Sequence, residues 1–173
     1  MDSNLSLSLG FKGQLTLNAQ AVPLQEGYLK LGGIVDSTET AGLSFGVVVS
    51  ADTDTPDQFT KGCASGNIVR GICVFDDAIA QNSPAHPNTY LAGMPCAAIN
   101  HGFLWLASWI TDTTTLTGAI SPVIGCIVVY NTTTGAIGFL AAGTSTIPDG
   151  FSQLSNASVR SVDADNGALI YLD

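Results

Sequence analysis

Basic side chains are nearly missing from this chain: its 173 residues hold only five Lys and Arg, namely Lys12, Lys30, Lys61, Arg70 and Arg160. Set against 14 Asp and Glu they leave a formal net charge of −9, so no basic patch exists to neutralise phosphates or anionic headgroups. Neither nucleic acid nor a membrane surface is therefore an expected partner. Charged residues of both signs amount to 11%, under half of the roughly 25% usual in soluble domains. The surface must then be built from Thr, Ser, Asn, Gly and apolar atoms, a composition suited to burial against other proteins. Long apolar runs are also missing. Phe103 to Ile110 and Val123 to Tyr130 fall far short of the roughly 20 residues of a membrane-spanning helix. The opening MDSNLSLSLGF carries an acid where an export signal carries positive charge, so synthesis and folding in a cytoplasm are expected.

Residues able to do chemistry are equally scarce. The four cysteines, Cys63, Cys73, Cys96 and Cys126, show no C-x-x-C spacing, and three lie inside apolar runs, which predicts buried free thiols. Cys96 and His101 form a C-x4-H pair with no second pair to complete a zinc site. Gly42-Leu43-Ser44-Phe45-Gly46 matches the G-x-S-x-G spacing of a nucleophile elbow, but it runs directly into Val47-Val48-Val49, a strand sequence with no helix to follow. The only histidines, His86 and His101, both fall in turn-like sequence, so a serine hydrolase built on Ser44 is a remote alternative. Asp52, Asp54 and Asp57 resemble the start of a calcium loop, but Pro56 interrupts it, and the required Gly and the distal acid are missing. The expected reading is a solvated acidic loop, with calcium as the alternative. Asp76-Asp77 reads as a polar turn at a strand end. No catalytic residue, cofactor or metal is expected.

What is abundant is punctuation. Nineteen Gly and seven Pro separate short runs rich in Val, Ile, Thr and aromatics, the pattern of strands and turns. Expected strands are Tyr28 to Val35, Phe45 to Ser50, Ile68 to Phe75, Pro95 to Asn100, Phe103 to Ile110, Gly125 to Tyr130, Ala136 to Leu140, Ala157 to Val162 and Ala168 to Leu172. Two hairpins are expected, one turning at Asn100-His101-Gly102 and one at Asn131 to Gly135. Trp105 and Trp109, four apart in FLWLASWI, would share one face of a strand, in the core or at an interface. The predicted fold is all-β, a compact antiparallel barrel or sandwich over residues 27 to 173.

Residues 1 to 26 differ. Leu5, Leu7, Leu9, Phe11, Leu15 and Leu17 alternate with mostly small or polar residues, but Gly10, Gly13 and Pro23 break the run. This segment is expected to be an extended arm that clasps a neighbouring subunit or a partner surface, those six side chains forming its apolar face; an ordinary edge strand is the alternative.

The order of the strand motifs resembles the structural cement, or head-decoration, proteins of tailed bacteriophages. The resemblance runs over roughly residues 28 to 172. It rests on Glu39 followed by LSFGVVVS, NIVRGICVFD, YLAGMPCAAINHGFLWLAS, VIGCIVVYNTTTGAIG and the closing GALIYLD, in that order. It implies a non-enzymatic protein, mostly β, that sits on the outside of the assembled capsid, contacts the major capsid protein and reinforces the shell. It implies a homo-oligomer, a trimer being favoured, located on the virion surface. Another virion component, such as a tail or fibre module, is the alternative.

Overall fold

The computed structural model describes residues 21–23, 29–76, 88–163 and 167–173, and among them there is no helix. The strands are β1 (Ala21–Pro23), β2 (Leu29–Val35), β3 (Leu43–Ser44), β4 (Val48–Ala51), β5 (Gln58–Lys61), β6 (Ile68–Cys73), β7 (Thr89–Tyr90), β8 (Pro95–Leu106), β9 (Ile127–Asn131), β10 (Ile137–Leu140), β11 (Phe151–Gln153), β12 (Ala157–Asp163) and β13 (Gly167–Leu172). Five of them close a barrel: β8 pairs β2, β2 pairs β5, β5 pairs β4, β4 pairs β6, and β6 returns to β8. The pairs are antiparallel except β2 with β5, which runs parallel through Ile34 opposite Gln58 and Val35 opposite Phe59. Closure leaves these five strands no open edge.

The expected hairpin at Asn100-His101-Gly102 is not a turn. β8 passes straight through it as one 12-residue strand. Opposite β2 the register jumps between Leu29–His101 and Lys30–Ile99, which leaves Asn100 as the extra residue of a bulge. Gly102 follows with φ 105°, so the glycine that looked like a turn residue instead bends the strand out of the barrel. Beyond the bend the second half of β8 pairs β13 on one side and β1 on the other, and β12 extends that sheet through β13. The sequence offered the right breakers, but both halves of β8 find partners elsewhere, so they do not fold back on each other.

Alternation along the barrel strands divides the core into two layers. Val35, Val49, Ala51, Phe59, Cys73, Cys96 and Ala98, drawn from all five strands, pack together inside the barrel with Leu43, Phe45 and Tyr90. Their neighbours Val48, Ile72, Ala97 and Ile99 face outward, yet are buried too. They meet Val128, Tyr130, Ile137 and Phe139 of the three-stranded sheet β10-β9-β11, and Leu104, Leu106, Val159, Ile170 and Leu172 of the sheet around β13. The barrel wall is thus apolar on both faces here, which is why Cys96 to Ile99 reads as a continuous apolar run.

The second expected hairpin is present between β9 and β10. Asn131 Oδ1 accepts from the backbone N–H groups of Thr133 and Thr134, and Gly135 N–H returns to the Asn131 carbonyl at 2.9 Å. That turn also docks its sheet on the barrel, since Val48 N–H donates to Gly135 O and Cys63 N–H to Thr132 O, both at 2.8 Å. The approach leaves no room for a side chain: a Cβ on Gly135, φ 72°, would stand 2.4 Å from the Val48 carbonyl. The threonine-rich stretch 111–117 folds over the other face of the small sheet, burying Leu116 against Val129 and Leu140.

Trp105 and Trp109 do not share a strand face, because β8 ends at Leu106. Trp109 packs edge-on against Phe139, ring centroids 6.0 Å apart, while Trp105 is half-buried. The six apolar side chains expected on the arm, Leu5, Leu7, Leu9, Phe11, Leu15 and Leu17, lie outside the described residues, as does His86. Within the span 1 to 26, Ala21–Pro23 is described, and it pairs with Leu104 to Leu106 of the chain's own β8.

Candidate functional site

Among the described residues, none of the sequence features that could carry catalysis is assembled. Gly42 and Gly46 have φ 75° and 85°, and between them Leu43–Ser44 forms a two-residue strand against Thr89–Tyr90. Ser44 Oγ lies 3.5 Å from the Thr89 hydroxyl and leads into a strand, so the strand-to-helix elbow is not formed. His101 is exposed and stacks edge-on with Tyr171, centroids 5.9 Å apart. Cys96 is buried inside the barrel, so the C-x4-H pair is split. All four cysteines are free. Burial pushes the Cys96 thiol up to about 12, and raises Cys73 and Cys126 as well, which removes the thiolate a nucleophile or metal ligand needs.

The acidic loop is organised by itself. Asp52 Oδ1 accepts the Asp54 N–H at 2.8 Å, and Asp36, across the same shallow groove, accepts both the Thr38 N–H and hydroxyl. Among the described residues no three His, Cys, Asp or Glu side chains are grouped to hold a metal ion.

Two acids have structural roles that the sequence concealed. Glu39 is buried, 8% exposed; its carboxylate accepts the Lys61 N–H at 3.0 Å and pairs with Lys61 Nζ at 3.1 Å. It ties the loop after β2 to the end of β5. Asp76, expected in a polar turn, is buried and ion-paired with Lys30. Its N–H donates to Tyr90 Oη, which in turn donates to the Val74 carbonyl. Burial raises the Tyr90 phenol far above its ordinary value, so it stays neutral and serves as a donor in the barrel mouth. Asp77 lies outside the described residues.

What the described surface does present is apolar and open. Val123 to Cys126 makes a turn, closed by Cys126 N–H to Val123 O, that leaves Val123 and Ile124 52% and 73% exposed. Ile34, Ile68 and Val162 are exposed as well. A second feature lies between the barrel and the sheet around β13. There Arg70 and Asn100 line a cavity of about 250 Å³ with Leu154, Asn156, Leu172 and Asp173. Exposed apolar side chains of this kind suit contact with other proteins.

Comparison with known proteins identifies which kind. The family of the structural cement protein (E217 gp24/Pam3 gp6) matches residues 2–173. The chain belongs to the phage structural cement family. It is therefore a capsid-stabilising structural protein of a bacteriophage. No curated protein matches it. Among solved structures, a chain from the capsid of Myoviridae Phage XM1 is similar in fold, with a TM-score of 0.61 and 14% identity, over 91% of this chain and 90% of that one. In the cement protein, Glu39 and the strands LSFGVVVS, NIVRGICVFD and VIGCIVVY thus have structural work: they form, lock and cover the barrel.

Proposed function

We propose that the chain acts without catalysis on the outside of the assembled capsid, where it binds the major capsid protein as a homo-oligomer, a trimer being favoured, and that it is synthesised in the host cytoplasm. The observation that carries this reading is the family match across residues 2–173. Three physical features support it. The Ser44 motif lacks an elbow, exposed apolar groups such as Ile124 offer contact area, and the net charge of −9 opposes attachment through nucleic acid or anionic lipid. Within the expected arm of residues 1 to 26, the part ahead of β1 carries Leu5, Leu7, Leu9, Phe11, Leu15 and Leu17, which add to a neighbour's exposed sheet edge, since their alternation supplies one apolar face.

The test adds purified full-length protein to capsids prepared without it and follows heat-induced disruption by release of packaged DNA. The disruption temperature rises with occupancy if the reading holds, and cross-links form to the major capsid protein. An unchanged disruption temperature at saturating protein refutes it. Native mass spectrometry of the free protein reads the oligomer.

A further inference from the structure

Two β-bulges direct polar side chains into the same cavity. Between β4 and β6 the register jumps from Val49–Gly71 to Ser50–Val69, which makes Arg70 the extra residue on β6. On the adjacent strand β8 the extra residue is Asn100. The two strands come close at this point: a Cβ on Gly71 would stand 2.1 Å from the Ile99 carbonyl oxygen and 3.1 Å from Asn100 N. A bulge re-aims a side chain away from the regular pleat, and bulges cluster where a strand serves a site.

Both residues line the cavity, and each carries a buried polar atom with an unmet hydrogen bond behind its wall. Arg70 Nε and Asn100 Oδ1 are buried and have no hydrogen-bond partner among the described residues. The other described cations are engaged within the chain: Lys30 with Asp76, Lys61 with Glu39, and Arg160 over the Tyr171 ring at 5.1 Å. Arg70 makes no ion pair among the described residues, although Asp173 lines the same cavity. An unmade hydrogen bond at a buried polar atom is costly, and here one donor and one acceptor on residues lining the same cavity are left unmade.

We propose that this cavity is a receptor for an amide group presented by a capsid subunit, its carbonyl accepting from Arg70 Nε–H and its N–H donating to Asn100 Oδ1. A carboxylate meets only half of this arrangement, because the Asn100 oxygen and the Asp173 acid would both repel it. An amide, either main chain or Asn/Gln side chain, satisfies both atoms and adds no charge to a surface already strongly acidic. Enclosed Arg anchors of this kind carry a disproportionate share of interface affinity.

The proposal rests on the reading of the chain as a capsid-bound protein, so binding of the wild type to capsids prepared without it is measured first and tests that reading alone. Arg70→Gln and Asn100→Ala are then compared by sedimentation with the same capsids. Each is expected to weaken binding about tenfold, as loss of a buried interface hydrogen bond would, with the melting temperature of the free protein little changed. The ratio of wild-type to Arg70→Gln affinity should be the same at low and high salt for an amide; a ratio that collapses at high salt assigns a carboxylate and overturns the proposal. A photo-cross-linker placed at exposed Asn156 of the otherwise wild-type chain should capture a capsid-protein peptide. If that peptide holds an Asn or Gln whose replacement by Ala weakens binding, the side chain is the source; if no such replacement does, the main chain is. Capture of a second copy of this chain, or undiminished capsid affinity in both variants, overturns it.

Discussion

At the residue scale, buried Glu39 ties a loop to a strand. Glu39 spends its carboxylate on the Lys61 backbone and ammonium. Glu39→Ala leaves that buried N–H unbonded, and urea unfolding should show a loss of about 1 to 3 kcal/mol. The thiols give an independent check of packing. Cys73, Cys96 and Cys126 are buried and only Cys63 is partly exposed, so a thiol-specific chromogenic disulfide at neutral pH should react quickly with at most one group per native chain and with four after denaturation. Acid stability has a definite sign at Asp36. The Thr38 hydroxyl, and then the Thr38 N–H, hold its carboxyl below the ordinary 3.8. A depressed folded-state value contributes stability that is present above the unfolded value and lost as pH falls through the folded one. In stability measured against pH, Asp36→Ala should therefore flatten the decline below about pH 3.8 relative to wild type.

At the scale of elements, β8 is the organising strand, shared by the barrel and the sheet around β13. Its contact with β6 depends on Gly71, where φ is 143° and an added Cβ would stand 2.1 Å from Ile99 O, which excludes any side chain. Gly71→Ala should cost about 3 kcal/mol or more, because both the backbone conformation and the strand spacing must change. Gly32 on β2 is the matched control, with nothing within 4 Å of a built Cβ. Gly32→Ala should be neutral or slightly stabilising by restricting the unfolded chain. Thermal melts of the two variants side by side check both expectations. The closing strand β13 is held on both sides, by β12 and β8, and places Ala168, Ile170 and Leu172 in the core.

At the scale of the whole molecule, a closed barrel flanked by further sheets packs on its own contacts, which separates folding of the body from the attachment proposed for its surface and arm. Deleting residues 2–20, which spares β1, should leave the circular dichroism spectrum β-rich and the melting temperature within a few degrees, yet weaken capsid binding or oligomer formation. A truncated chain that unfolds would make the stretch part of the body, and one that decorates capsids with full affinity would end the arm proposal. Much of this organisation is legible in the chain itself: Ala168 to Leu172 reads as a strand from its apolar run, and NTTTG reads as a hairpin turn because Asn and Gly suit its backbone. The parallel pairing of β2 with β5 is not legible, since two short runs 22 residues apart carry no mark of direction.

Composition and local pattern determined what depends on neighbours in sequence: strands because β-branched runs alternate with Gly breaks, and free buried thiols because three cysteines lie in apolar runs. Tertiary structure decided what depends on residues brought together from afar. Asn100-His101-Gly102 became a bulge and not a turn, because β2 and β6 on one half of β8, and β13 and β1 on the other, supply the hydrogen bonds that a hairpin would have made. Asp76 became a buried ion pair because Lys30, 46 positions away, lies beside it. Arg70 and Asn100 meet in one cavity because two bulges fall on adjacent strands, a coincidence of register that no local pattern of side chains encodes.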